Sequence, residues 1–142
     1  MTKMTKMNEI QFNEYLSLPN IAHFITNNET GYPHSVPVWY EFVDGCFYVF
    51  APANSAKVRN LKHNPKLTLS IASEDQPYRY VTVSGNAEFI NGDYQDKLVS
   101  IASRYEGVPG GEEIVAEFQA QSEIVLIALK PSNRLVTFSS KD

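Results

Sequence analysis

The sequence predicts a mainly β fold, a small antiparallel barrel of six or seven strands with three or four helices inserted at its corners. Three observations carry that expectation. Seven short segments are rich in Val, Ile, Phe and Tyr, and several alternate apolar with polar residues at the period of a half-buried strand. Asp44-Gly45 joins two of them as a tight hairpin. The other connections are short turns or helices inserted at the corners, which suit an antiparallel barrel better than a parallel α/β sheet. Closing such a sheet also removes exposed strand edges.

In chain order, Asn8 and Gln11 form a capping box, and Phe12, Tyr15 and Leu16 repeat at helical spacing. A short amphipathic helix therefore opens the domain and ends at Leu18-Pro19. Residues 20–26 read as a strand, NETG at 28–31 as its turn, and 34–43 as a second, continuous strand with Val36, Val38, Tyr40 and Phe42 on one face. Residues 46–51 return as the third. Asn54 or Ser55 caps a helix whose buried ridge is Val58 and Leu61 and whose stop is Asn64-Pro65. Leu67, Leu69 and Ile71 alternate in a fourth strand, and Val81, Val83, Ala87 and Phe89 in a long fifth, with Gly85 at a bulge or bend. Tyr94, Leu98, Ile101, Ala102 and Tyr105 form the clearest helical stripe in the chain. GVPGG at 107–111 breaks it, a second helix is predicted over 112–121, and IVLIALKP and RLVTFS close the fold as strands, the first apolar on both faces.

Composition bounds the function. The 142 residues suit one domain, placed at 8–142, and 43% hydrophobic with 12% aromatic residues suffices for a packed core. The repeated MTK at the start reads as a flexible leader over residues 1–7. A net charge of −4 argues against a general nucleic-acid coat, whose basic face would recruit phosphates. Cys46 is the single cysteine, so no internal disulfide forms, and no CxxC or HxxxH spacing offers a metal site. No run approaches the ~20 apolar residues that span a bilayer, and the first residues lack a signal peptide's apolar core. We expect a cytoplasmic protein without a membrane partner.

Familiar catalytic signatures are missing: there is no GxSxG elbow, no GxxxxGK loop and no GxGxxG after a strand. His23, His34 and His63 are scattered. What stands out is the stretch between Gly45 and Ser73, which holds no Asp or Glu but contains Lys57, Arg59, Lys62 and Lys66. A helix start presents free N–H groups and about half a positive charge. Ser55 places a hydroxyl there, Lys57 lies in the first turn, Asn60 follows three residues later on the same face, and Arg59 is at i+4 from Ser55. A solvated basic face is the plain alternative; the missing carboxylates favour a bound phosphate. HSVPVW, residues 34–39, adds a second feature. Pro37 confines its strand to an edge or bulge, leaving backbone groups free for a flat heterocycle with Trp39 as an apolar wall, unless the proline serves only to protect an ordinary edge.

GYPHSVPVWYEFVDGCFYVFA, SAKVRNLKHNPKLTLSI and PYRYVTVSGNAEFI together resemble the flavin/deazaflavin oxidoreductase branch of the pyridoxamine 5′-phosphate oxidase-like superfamily, in matching order and spacing over residues 20 to about 105. The resemblance implies a Greek-key split β-barrel of the FMN-binding type, a homodimer holding FMN, or alternatively coenzyme F-420, at the subunit interface. By position it implies Ser55, Lys57, Arg59 and Asn60 at the phosphate and Val36, Pro37, Val38 and Trp39 along the ring. Tyr78, Arg79 and Tyr80 match the strand that approaches the cofactor from the partner chain. It assigns no catalytic side chain. The expected activity is hydride transfer between the flavin and a small organic substrate, with flavin or haem carriage without turnover as the alternative. The ending RLVTFSSKD lacks the Arg-rich, Pro-containing substrate segment of true pyridoxamine phosphate oxidases, so oxidation of that vitamin is not implied.

Overall fold

The apolar segments pair into one curled antiparallel sheet in the computed structural model, which describes residues 3–132 and 134–141. The elements are β1 (Lys3–Lys6), α1 (Glu9–Leu16), β2 (Ala22–Asn27), β3 (Pro33–Val38), β4 (Glu41–Val43), β5 (Cys46–Pro52), α2 (Ala56–His63), β6 (Lys66–Ala72), β7 (Arg79–Phe89), α3 (Gln95–Glu106), α4 (Val108–Gln121), β8 (Ile124–Leu129) and β9 (Arg134–Lys141). The strands run in the order β3-β2-β6-β7-β8-β5-β4, with β9 also on β7 and β1 on β9. This is a split β-barrel, mainly β with helices at its corners. The eleven residues of β7 form its main bend: Arg79–Ser84 pair with β9, and Ala87–Phe89 pair with β8. Gly85 sits at the change of partner, where a Cβ would lie 2.9 Å from the Lys130 carbonyl oxygen. The bend expected there thus depends on the missing side chain.

Among the described residues, nine strands replace the expected six or seven for two reasons. The segment 34–43 is not continuous, because β3 pairs with β2 whereas β4 pairs with β5. At the break, side chains of α3 take over the ladder's role. The Tyr40 N–H donates to the Tyr105 hydroxyl at 3.1 Å, and Arg104 donates to the Tyr40 carbonyl. The second reason is the expected leader, which instead forms β1. Residues 3–6 extend along β9 in the register Lys6↔Phe138, and Met7 is buried. An open strand edge on β9 gives that segment's backbone groups partners, and burial of Met7 holds it there.

Local signals otherwise act where they stand. The capping box closes α1, with the Gln11 N–H donating to Asn8 Oδ1 at 2.8 Å and the Asn8 N–H to Gln11 Oε1 at 2.9 Å. Ser55, not Asn54, caps α2. Gly107, at φ +78°, ends α3, but α4 begins at once rather than at residue 112. Pro109 falls in its first turn, where a missing N–H costs nothing.

Two apolar clusters result. One fills the barrel with Phe24, Leu69 and Val83, plugged by Phe12, Tyr15 and Leu16 of α1 and by Val58 and Leu61 of α2. The other lies between the far face of β5–β8 and the α3–α4 hairpin, around Leu98, Ile101, Val115 and Leu126. Strand β8 serves both: Ile127 and Leu129 face the barrel, Ile124 and Leu126 the helices. That explains its uninterrupted apolar run.

Candidate cofactor site

The site forms where the barrel splits. Strand β3 is one end of the sheet path, so its prolines stand on an edge, as Pro37 predicts. Pro33 and Pro37 are an even number of residues apart, and neither has an N–H to give β2. Both occupy positions whose backbone groups point away from that strand, and Ser35 between them shares the orientation. The Ser35 N–H and C=O therefore face the open edge.

Helix α2 lies alongside. Ser55 Oγ accepts the Val58 N–H at 3.4 Å, and Val58 and Leu61 sink into the barrel core. With its ridge pinned, the helix turns Lys57 toward the end of β3. Between them opens a cavity of about 390 Å³. Pro37, Val38 and Trp39 contribute one side, Phe50 and Pro52 of β5 another, and Ile21, Phe118 and Ile124 complete the lining. Trp39 is fixed by stacking on Tyr105, ring centroids 5.0 Å apart at 7°, and by an edge contact with Phe50 at 6.5 Å. The Tyr105 hydroxyl donates to the Asn20 carbonyl at 2.8 Å. Burial raises its pKa, which keeps that donor protonated.

Among the described residues, Lys57 is the one charged side chain lining the cavity. Among the described residues the single ion pair is Lys97–Glu41 at 3.2 Å, so no carboxylate neutralises Lys57. Burial pushes its amine below the usual lysine pKa. A half-buried cation with apolar neighbours and no counter-ion is a receptive point for an anion.

Of the eleven residues proposed from sequence, the cavity gathers Pro37, Val38, Trp39 and Lys57. Val36 packs against the barrel core instead. Ser55 is the helix cap, and Arg59 is exposed with Nη1 donating to the Asn54 carbonyl at 2.8 Å. Asn60 Nδ2 donates to Thr26 Oγ1 at 3.1 Å, which ties it to β2. Tyr78 and Tyr80 are exposed, and the Arg79 guanidinium lies over the Tyr15 ring at 4.8 Å. Val38, Ala22, Ile71 and Val81 are in register across the sheet, so three strand spacings, about 14 Å, separate β7 from the end of β3. Residues 78–80 do not line the cavity of their own chain.

Ile21, Phe50, Pro52, Phe118 and Ile124 escaped the sequence reading. Two carried a signal: Tyr48 and Phe50 alternate with Phe47 and Val49, so β5 is apolar on both faces, and Phe118 is the sole aromatic residue of α4. None of the three histidines lines the cavity. Among the described residues no group of His, Cys, Asp or Glu could hold a metal ion, and no helix is long and apolar enough to cross a membrane.

The chain belongs to the pyridoxamine 5′-phosphate oxidase family, whose model matches residues 9–135. No curated protein matches it. It is similar to the solved structure of a conserved hypothetical protein from Mycobacterium tuberculosis, with 23% identity and a TM-score of 0.77 over 94% of this chain and 85% of that one. A structure described as an F-420 reductase is 22% identical, with a TM-score of 0.68 over 85% of this chain and 93% of that one. The haem storage protein HutZ from Vibrio cholerae is 17% identical, with a TM-score of 0.71 over 91% and 94%. These likenesses show a common fold.

Proposed function

We propose that this member of the pyridoxamine 5′-phosphate oxidase family binds FMN and acts as an oxidoreductase on a small, flat organic substrate. One observation carries the reading: an aromatic-walled cavity holds a single uncompensated cation, Lys57, beside an edge strand with free backbone groups. The residues fit the cofactor. Lys57 meets the phosphate, a charge-assisted bond that contributes roughly 1.5–3 kcal/mol. Ser55 at the helix start keeps a hydroxyl proton to donate, and Arg59, tied only to its own loop's carbonyl, adds a second cation. Trp39, held by Tyr105, gives the ring an apolar wall, while the outward Ser35 N–H and C=O match its polar edge. Bound FMN supplies the hydride chemistry, which is why the lining needs no acid or base pair.

A second copy of the chain completes the site in this reading. The buried sides of α1 and α2 face the barrel interior, and α3–α4 cover β5 and β8. The outer face of β3, β2, β6, β7 and β9 is left uncovered, and its central residues, Ile25, Thr68, Ser70, Thr82, Ser84 and Phe138, are uncharged. A neutral face in a chain with 20% charged residues suits a homodimer. It runs up to the open edge of the cavity and bears Tyr80, which is then within reach of the partner's cofactor.

Titration with FMN, followed by flavin fluorescence, tests the assignment. Lys57→Ala should weaken binding about 10-fold or more, and unchanged affinity overturns the phosphate placement. Light scattering should report a dimer, converted to monomer by Thr82→Arg. Two other ligand readings share the cavity. Coenzyme F-420 is supported by the likeness to the F-420 reductase, and flavin or haem carriage without turnover by the lack of an acid or base pair in the lining. Steady oxidation of a reduced nicotinamide or reduced F-420 with an added acceptor separates an enzyme from a carrier. We place the protein in the cytoplasm, where the free Cys46 thiol stays reduced.

A further inference from the structure

Lys57 carries a second chemistry that phosphate binding does not use. We propose that, when no anion occupies the cavity, the Lys57 amine captures flat aromatic aldehydes as imines. The proposal rests on the same cavity as the FMN reading but not on FMN.

Three features of the site support it. The cavity of about 390 Å³ brings Trp39, Phe50 and Phe118 to the amine, which is room and surface for an aldehyde of one or two rings. No carboxylate holds the nitrogen as an ammonium ion. Lys57 is also the second residue of α2 after its cap, Ser55, and the positive end of a helix disfavours a further cation there. Burial acts in the same direction and lowers the amine's pKa, which favours the neutral nucleophile. In the reaction the amine lone pair forms a C–N bond to the carbonyl carbon while the carbonyl π pair moves to oxygen and takes a proton. The nitrogen loses its protons, the oxygen leaves as water, and C=N remains. Nothing is oxidised or reduced, and apolar walls that exclude water favour the dehydration step.

Benzaldehyde with cyanoborohydride near neutral pH tests this, since the reductant fixes any imine as a benzyl amine. Peptide mass mapping should find Lys57 modified about 10-fold faster than Lys62 or Lys66, which lie outside this cavity and have no aromatic walls to hold the aldehyde against the amine. Lys57→Gln and Lys57→Arg should lose that adduct while the protein keeps a cooperative melting transition. Equal modification of the surface lysines, or none at Lys57, overturns the proposal. Added FMN keeps the two readings apart. Fast labelling that FMN suppresses supports both, and fast labelling that FMN leaves alone supports the reactive amine while retiring the phosphate placement. Slow labelling with intact FMN binding retires the amine.

Discussion

Inside the barrel Phe24, Leu69, Ile71 and Val83 are wholly shielded from solvent, whereas Trp39, Phe50 and Phe118 under the helical hairpin are only half buried. The same contrast runs through the two clusters as wholes. Among the described residues, nineteen buried side chains with six half-buried ones make the barrel core, against six with eight in the helical layer. Charge divides the molecule along a similar line. Residues 88–123 hold eight carboxylates against Lys97 and Arg104, while the stretch between Gly45 and Ser73 holds four cations and no carboxylate. One sheet thus has a closed side that supplies stability and a looser side that leaves room for a ligand, and Lys57 stands at their boundary. A cavity needs incomplete packing, which a split barrel can tolerate only outside its main core.

The largest expected difference lies in truncation. Leu69→Ala should cost about 2–5 kcal/mol in urea unfolding, because a closed core cannot collapse onto the void. Phe118→Ala, losing surface that is only half buried, should cost about 1–2 kcal/mol. Equal losses would erase the distinction between the two layers. Next in size is the joint between them. Arg104 donates to the carbonyls of Tyr40, Leu16 and Leu18, the last at 2.8 Å, so Arg104→Ala should lower stability by about 2–3 kcal/mol. Lysine should not rescue it, since one ammonium cannot reproduce the guanidinium fork.

Gly111→Ala comes third. A Cβ there would stand 2.8 Å from the Ser103 backbone, so α4 must shift off α3 at a cost of about 1–3 kcal/mol. Phe118 moves with that helix, and FMN affinity should fall together with the melting temperature. A stability loss with unchanged affinity would show that α4 does not shape the cavity.

The smallest effect is in pH. Burial lowers the folded-state pKa of Lys57 below its unfolded value, so the unfolded chain binds more protons in the alkaline window beneath 10.5. Stability of the ligand-free protein should therefore rise with pH across that window, and Lys57→Gln should remove this increment. FMN binding should show the opposite slope. A phosphate restores the ammonium, proton uptake accompanies binding, and affinity declines as pH climbs through the same window.

Much of the fold was legible because its signals are local. Asn8 and Gln11 close a helix wherever they stand, Asp44-Gly45 turns a hairpin, and alternation in 67–71 and 81–89 fixes which face is buried. The break at Trp39–Tyr40 was not legible. The chain passes there from the β2 edge of the sheet to the β5 edge only because Tyr105 and Arg104, more than sixty positions away, satisfy the Tyr40 backbone. The site divides in the same way. Lys57, Pro37 and Trp39 announce themselves by charge without carboxylates and by proline within a strand. Arg59 and Asn60 share that helix, yet a 100° rotation per residue sends one to solvent and the other to Thr26.

By itself the sequence determined the type of most elements, the barrel class and the carboxylate-free basic stretch that contains Lys57, because period, punctuation and charge are written along the chain. Only the tertiary structure decided that β1 joins the sheet, that β3 and β4 part, and that Ile21, Phe50 and Phe118 face Lys57. Those facts depend on which distant surfaces compete to be covered, and a linear pattern holds no record of that competition.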